Sequence, residues 1–204
     1  MTTACIKRIF DIFLTSVALV VLAPLMLLTA IAIVCDSKGG VLYKQLRVGK
    51  NNRDFYLYKF RTMRTFSDVQ SLITVGDRDE RITKIGYFLR KTKWDELPQL
   101  LNILKGDMSI VGPRPEVRKY VDLYTPEQMR VLEVLPGLTD YASIAYMNEN
   151  AILEKSDSPE QTYINKIMPV KLQLNFKYID NQSFMVDMKI IAKTIRRIVV
   201  KVFA

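Results

Sequence analysis

IFLTSVALVVLAPLMLLTAIAIV, residues 12–34, contains no charged side chain. About 20 apolar residues cross the hydrocarbon core of a bilayer as one helix, and a secretory signal has a shorter apolar core. A single spanning helix should place an excess of Lys and Arg on one flank only. Here Lys7 and Arg8 precede the run, while Lys38, Lys44, Arg47, Lys50 and Arg53 follow it. Pro24 lies near the middle, where the missing backbone donor kinks a helix. Spanning is the plain reading; basic flanks around a proline suit a re-entrant helix that turns at Pro24 and returns to the same face. The expected division is a re-entrant membrane helix at residues 1–36 and a cytoplasmic domain at residues 37–204 packed on the membrane face. Cys5 and Cys35 would then both lie near that face. Two cysteines are too few for a disulfide framework.

Downstream of the run, VLYKQLRV (residues 41–48) and FYLYKFRTM (residues 55–63) are short, aromatic-rich and β-branched, with GKNN between them. This pattern predicts a β-hairpin. Alternation puts Phe55, Leu57, Lys59 and Arg61 on one side. Lys59 and Arg61 are either solvated or turned toward phosphate. Residues 67–81 are polar and read as a mobile loop. Helical signals resume at ITKIGYFLRKT, where Ile82, Ile85, Phe88 and Leu89 share a face.

KTKWDELPQLLNILKG, residues 91–106, sets two adjacent acids, Asp95 and Glu96, between a basic run and an apolar stripe of Leu97, Leu100, Leu101 and Leu104. Thr92 reads as the N-cap of a helix that Gly106 stops. In its first turn the acids are either dipole-stabilising residues or a catalytic pair, kept ionised as a nucleophile and a metal ligand require. In GDMSIVGPRPE (residues 106–116), Pro113 and Pro115 fix the backbone on both sides of Arg114. A phosphate-clamping arginine gains from such rigidity. The chain carries +9, from 30 Lys and Arg against 21 Asp and Glu, and has no histidine. That balance favours an anionic partner. The absence of histidine excludes Ser-His and Cys-His nucleophiles and His-ligated zinc, leaving carboxylates, cations, hydroxyls and a hard metal.

KRIFD, YKFRTM, WDELPQLLNILKGDMSIVGPRPE and PGLT, with FMVDMKII near the end, make the chain similar to the bacterial sugar transferases known as monotopic phosphoglycosyl transferases, over nearly its whole length. The resemblance implies a mostly helical α/β (α+β) fold in the small, catalytic-core-only form, with a re-entrant helix broken at Pro24. It implies transfer of a sugar-1-phosphate from a UDP-sugar to undecaprenyl phosphate, releasing UMP, as the first membrane step of a bacterial glycan pathway. Asp95 would be the nucleophile that forms an aspartyl-phosphosugar intermediate, and Glu96 would hold Mg²⁺. Lys59, Arg90 and Arg114 match positions for phosphate or substrate, and Arg61 is carried with them. Expected partners are the UDP-sugar, undecaprenyl phosphate and anionic membrane lipid, without nucleic acid, at the cytoplasmic side of the inner membrane; a homo-oligomer stays open. The sequence departs from the family pattern in having Ala23 before the membrane proline. Asp140, Tyr141, Ala142 and Ser143 follow PGLT, with an acidic insert at residues 148–161, which bears on sugar or partner choice.

From Phe184 a basic stripe (Lys189, Lys193, Arg196, Arg197, Lys201) runs beside an apolar one (Met188, Ile191, Ile195, Ile198, Val202). This suits a helix on an anionic leaflet, or a core helix with a solvated basic face. A non-catalytic, membrane-anchored basic binding module is the alternative from another class. It leaves the block from Asp95 to Pro115 without a purpose.

Overall fold

The computed structural model describes residues 3–64 and 80–203, so residues 67–79 of the expected loop lie outside the described residues. The fold is mixed and mostly helical, as expected. The first helix, α1 (Thr3–Asp36), runs through Pro24 as one element, so the expected break is not a gap between two helices. Proline removes one donor from the helix ladder, and one turn later the Thr29 hydroxyl donates to the Leu25 carbonyl at 2.8 Å. Both devices bend a helix without ending it.

One face of α1 is buried along its length, at Asp11, Thr15, Thr29 and Ile33. Leu14, Leu22 and Met26 on the same face pack against the core. The opposite face presents Phe13, Val20, Val21, Leu27 and Leu28, with Val20 76% exposed. Polar residues inward and large apolar residues outward reverse the pattern of a helix facing water. Both ends of α1 are fastened to the same folded body. At the start, Lys7 pairs with Asp187 at 2.6 Å, and Arg8 donates to the Ile103 and Leu104 carbonyls at 2.7 and 3.1 Å. At the end, Asp36 accepts from the Ile85 amide at 3.1 Å.

The predicted hairpin is present. Strand β1 (Leu42–Val48) pairs antiparallel with β2 (Asp54–Phe60), Leu42 opposite Phe60 and Val48 opposite Asp54. Asn51 and Asn52 turn the chain with φ of 56° and 59°, which Asn tolerates better than most residues. Helix α2 (Lys84–Thr92) follows, then a 3₁₀ turn at Trp94–Glu96, then α3 (Gln99–Lys105). The single helix expected from Thr92 is therefore two elements. Thr92 is not an N-cap: it ends α2, with its hydroxyl directed at the Phe88 and Leu89 carbonyls. The break resets the helical phase, so α3 buries Gln99, Leu100, Asn102 and Ile103 and leaves Leu101 exposed. The Asn102 amide extends the β2 ladder: it accepts from Tyr58 N–H at 3.0 Å and donates to the Tyr56 carbonyl at 2.8 Å.

A second, parallel pair was not anticipated. Strand β3 (Ser109–Val111) lies against β4 (Gly137–Thr139), joined through α4 (Arg118–Val121) and a 3₁₀ turn at Gln128–Glu133. The remaining helices are α5 (Tyr141–Ala145), α6 (Glu149–Glu154), α7 (Pro159–Thr162), α8 (Met168–Asp180) and α9 (Phe184–Phe203). The acidic insert is thus folded: Leu153 of α6 is buried, and Glu149 and Glu160 pair with Lys171 and Lys119. In α9, Asp187 and Ile190 face the core, while Lys189, Lys193, Arg196 and Arg197 are exposed. The expected apolar stripe divides, with Ile191 and Ile198 partly buried and Ile195 exposed.

Asp187 joins three elements. It receives Lys7 from α1, and the Tyr178 hydroxyl of α8 lies 2.8 Å from its Oδ1 and 3.1 Å from the Val111 carbonyl of β3. Tyr178 is fully buried. Tyr178→Phe should lower stability by about 1–3 kcal/mol, because it strips a donor from a buried carboxylate. Denaturation in detergent measures this; an unchanged midpoint would mean the hydroxyl does not hold the three elements together.

Candidate active site

The turn that carries the two acids begins with a backbone reversal at Lys93. Its φ of 63° is left-handed, a conformation that costs a non-glycine residue about 1–2 kcal/mol. Lys93 N–H reaches the Arg90 carbonyl, and Glu96 N–H reaches the Lys93 carbonyl, each at 3.3 Å. Trp94 braces the turn edge-on against Phe88, ring centres 5.4 Å apart. Asp95 is left 7% exposed, with Oδ1 buried and unpartnered.

The loop bearing Arg114 is clamped first by backbone hydrogen bonds. Gly137 N–H donates to the Pro113 carbonyl at 2.9 Å, and Gly112 N–H to the Thr139 carbonyl at 3.1 Å. A Cβ on Gly137 would stand 2.1 Å from the Gly112 nitrogen, so this approach requires glycine. Arg114 N–H donates to Asp140 Oδ2 at 3.2 Å. The guanidinium then closes on Glu96 as a fork, Nη2 to Oε1 at 2.6 Å and Nη1 to Oε2 at 3.1 Å. Lys59 Nζ lies 3.9 Å from Glu96 Oε1.

The adjacent acids occupy different electrostatic environments. Burial pushes the Asp95 carboxyl above its usual range and Glu96 adds to this, against Lys59, Lys93 and Arg90. Burial would push Glu96 up as well, but Arg114 foremost, with Lys93 and Lys59, holds it well below the carboxylate range. Burial draws Lys59 down to about 8, opposed mainly by Glu96. Glu96 raises Arg114 further. The expectation that both acids are held ionised thus applies to Glu96, whereas Asp95 binds a proton more readily. Once ionised, Asp95 is the more basic and more nucleophilic of the two. Four cations facing two carboxylates leave a surplus of positive charge for an anionic ligand.

Of the sequence-predicted site residues, Asp95, Glu96, Lys59, Arg90 and Arg114 come together on one cleft of about 1200 Å³. Arg90 also donates to Thr62 Oγ1 at 3.0 Å. Arg61 borders the same cleft, yet its guanidinium serves a different purpose. It donates to Ser37 Oγ and to the carbonyls of Ser37, Lys38 and Gly40 at 2.6–2.9 Å, and so fixes the loop that leaves α1. Lys93, Asp140 and Arg47, which lines the cleft and donates to the Pro115 carbonyl at 3.1 Å, were missed. Asp140 had a sequence signal, an acid placed to cap the helix at Tyr141; the reversal at Lys93 had none. Ile191, Ile195 and Ile198 of α9 form an apolar wall.

Among the described residues no group of three acids or cysteines surrounds a metal position. Mg²⁺ needs only one or two carboxylates, because phosphates and water supply the rest. Asp95, with its unpartnered buried oxygen, and Glu96 fit that requirement.

A family description for bacterial sugar transferases matches residues 2–201. The chain is 40% identical, over 96% of its length, to the UDP-N-acetylgalactosamine-undecaprenyl-phosphate N-acetylgalactosaminephosphotransferase of Aeromonas hydrophila, and spans 44% of that protein. It is 40% identical to the exopolysaccharide production protein PSS of Rhizobium leguminosarum bv. phaseoli, covering 93% of each chain. With the UDP-glucose:undecaprenyl-phosphate glucose-1-phosphate transferase of Caulobacter vibrioides it shares 34% identity over 93% of this chain and 68% of the other. By this match over almost every residue, the chain belongs to the bacterial sugar transferase family.

Proposed function

We propose that the chain transfers a sugar-1-phosphate from a UDP-sugar to undecaprenyl phosphate, with Asp95 as nucleophile. The observation that carries this is the buried Asp95–Glu96 pair ringed by Lys59, Arg90, Lys93 and Arg114 on a cleft that Ile191, Ile195 and Ile198 also line. An Asp95 oxygen attacks the phosphorus that bears the sugar. The bond from that phosphorus to the bridging oxygen breaks, and UMP leaves with the oxygen and its electron pair. An oxygen of the lipid phosphate then attacks the same phosphorus and frees Asp95. The surrounding cations stabilise charge as it develops on the phosphoryl oxygens. Asp95 and Glu96 would hold Mg²⁺, which when bound neutralises the diphosphate and the departing UMP.

UMP release from a panel of UDP-sugars, with and without undecaprenyl phosphate and Mg²⁺, tests this reading. Turnover needing both donor and lipid phosphate supports it. UMP release at full rate without the lipid would make the protein a hydrolase, and no release would return it to a basic binding module. The exposed apolar face of α1 and the exposed cations of α9 support a seat on an anionic leaflet, each near-surface Lys or Arg adding about 1 kcal/mol.

Both ends of α1 are fastened to one body, which supports the view that both flanks face the cytoplasm. Cys5 and Cys35 are exposed and free. A membrane-impermeant thiol reagent should label both from the cytoplasmic side of inverted vesicles and neither from the outside of intact cells. Labelling from opposite sides would establish a straight crossing.

A further inference from the structure

Downstream of Arg114 the loop is held through one side chain, Glu116. Its backbone carbonyl accepts from Val48 N–H of β1 at 2.9 Å. Its Oε1 accepts from Arg47 Nη1 at 3.1 Å and from Val117 N–H at 2.8 Å, and its Oε2 accepts from the Tyr163 hydroxyl. The same Arg47 nitrogen donates to the Pro115 carbonyl at 3.1 Å. Arg47 is locked in turn by Gln45 Oε1, which takes Nε at 3.1 Å and Nη2 at 2.7 Å. Each nitrogen of that guanidinium already has a partner, so Arg47 braces the loop.

Tyr163 comes to Glu116 from the other end of the chain. It opens a π-helical turn, Tyr163–Ile167, between α7 and α8. Such wide turns are rare and are frequent at functional sites. Tyr163 is 4% exposed, and its ring centre lies 4.9 Å from that of Tyr120. Both helices of the acidic insert bear on this ring pair. Glu149 of α6 holds Lys171 at 3.0 Å, and Lys171 Nζ stands 5.1 Å from the centre of the Tyr163 ring. Glu160 of α7 pairs with Lys119 and lies 3.5 Å from the Tyr120 hydroxyl. A phenylalanine would meet the ring contacts equally well. The hydroxyl of Tyr163 adds the grip on Glu116, two residues from the arginine that forks onto Glu96.

We propose that Tyr163 is a positioning residue for the transfer: through Glu116 it fixes the downstream end of the Arg114 loop and ties the acidic insert to the reaction centre. This rests on the phosphosugar-transfer reading above. Asp140 holds Arg114 at its own N–H, and Tyr163 with Arg47 holds the two residues after it. Groups that act on a transition state depend on such supporting contacts, and a misplacement of about 1 Å can cost about 10²-fold in rate.

The test uses the full chain in lipid nanodiscs. Its readouts are hydrogen exchange at the amides of residues 112–117, the rate of the UMP burst with each UDP-sugar of the panel above, the calorimetric affinity for UDP, and the melting midpoint. In Tyr163→Phe, exchange at the Arg114 and Val117 amides should quicken and the burst should slow, each about 10-fold. Affinity for UDP should change little, because a loosened cation still attracts a diphosphate. Glu116→Ala should slow the burst at least as much, and adding Tyr163→Phe to it should cost nothing further, since the two act as one link. Ile167→Val trims the same buried cluster, so it should lower the melting midpoint and leave the loop exchange and the burst as in the wild type. A wild-type burst in Tyr163→Phe overturns the proposal, as does unchanged loop exchange. So do equal losses in Ile167→Val, which mark general loosening, or a further loss in the double variant, which marks Tyr163 acting without Glu116. Where Glu116→Ala does not fold, Tyr163→Phe against Ile167→Val still decides. Faster loop exchange in Tyr163→Phe beside a wild type that releases no UMP would sink the transfer reading and sustain the link from Tyr163 to the Arg114 loop. Unchanged exchange beside a normal wild-type burst would sink the link alone.

Discussion

Asp95→Asn abolishes turnover while leaving the fold at least as stable as the wild type. Removal of a nucleophile that forms a covalent bond costs far more than removal of a charge-stabilising group, so UMP release should fall by at least about 10⁴-fold. Wild-type protein given UDP-sugar without lipid phosphate should release a burst of UMP equal to the enzyme present and gain the mass of the sugar phosphate. The variant should do neither. The stability half follows from the direction of the Asp95 shift. Its carboxyl titrates higher in the folded chain than in the unfolded one, through burial and then Glu96. Near neutral pH the ionised form therefore opposes folding. A neutral amide of the same shape removes that cost, as expected where a site gives up stability for activity. A melting midpoint at or above that of the wild type, with no burst, is the expected pair of results. A variant keeping a tenth of the wild-type rate would end the assignment of Asp95 as nucleophile.

Asp95, Glu96, Lys59, Arg90 and Arg114 were legible in the sequence, whereas Arg47, Lys93, Asp140 and the geometry that joins them all were not. Local signals were strong for α1, whose length and charge-free run need no partner to interpret, and for the hairpin, whose strands are aromatic, β-branched and separated by GKNN. The Asp95–Glu96 pair stood out because it interrupts an otherwise regular pattern. The left-handed backbone at Lys93 has no composition cue, and it converts one expected helix into helix, turn and helix. The fork of Arg114 on Glu96 joins residues 18 positions apart through a strand pair of three residues each, too short for periodicity to reveal. Arg61 illustrates the same limit. It stands in the same basic, aromatic strand end as Lys59, yet only the return of the loop after α1 gives its guanidinium five oxygens to hold. Long-range packing assigned the roles of residues that local pattern had already picked out.

Glu96→Gln removes both the rate and part of the stability, and a second substitution restores only the stability. Glu96 is the anion on which Arg114 and Lys59 converge. With a neutral amide there, two part-buried cations lose their counter-charge, which should cost about 1–3 kcal/mol. The rate should fall about 10²–10³-fold, through loss of the phosphate-facing charge arrangement and of a metal-holding oxygen. Replacing Arg114 by Met in the Glu96→Gln background removes one stranded cation and fills its space with an apolar side chain. Exchanging a buried ion pair for apolar packing is often neutral or better for stability. The double variant should therefore melt near the wild type and stay inactive. Arg114→Lys alone should be nearly as inactive as Arg114→Ala, because an ammonium keeps the charge and loses the two-pronged grip on Glu96. Full activity in Arg114→Lys would reduce the site to simple charge. A double variant as unstable as Glu96→Gln would mean that the lost stability does not come from the stranded arginine. If the paired outcome is obtained, the Glu96–Arg114 bridge is kept for the chemistry of the cleft rather than for the strength of the fold.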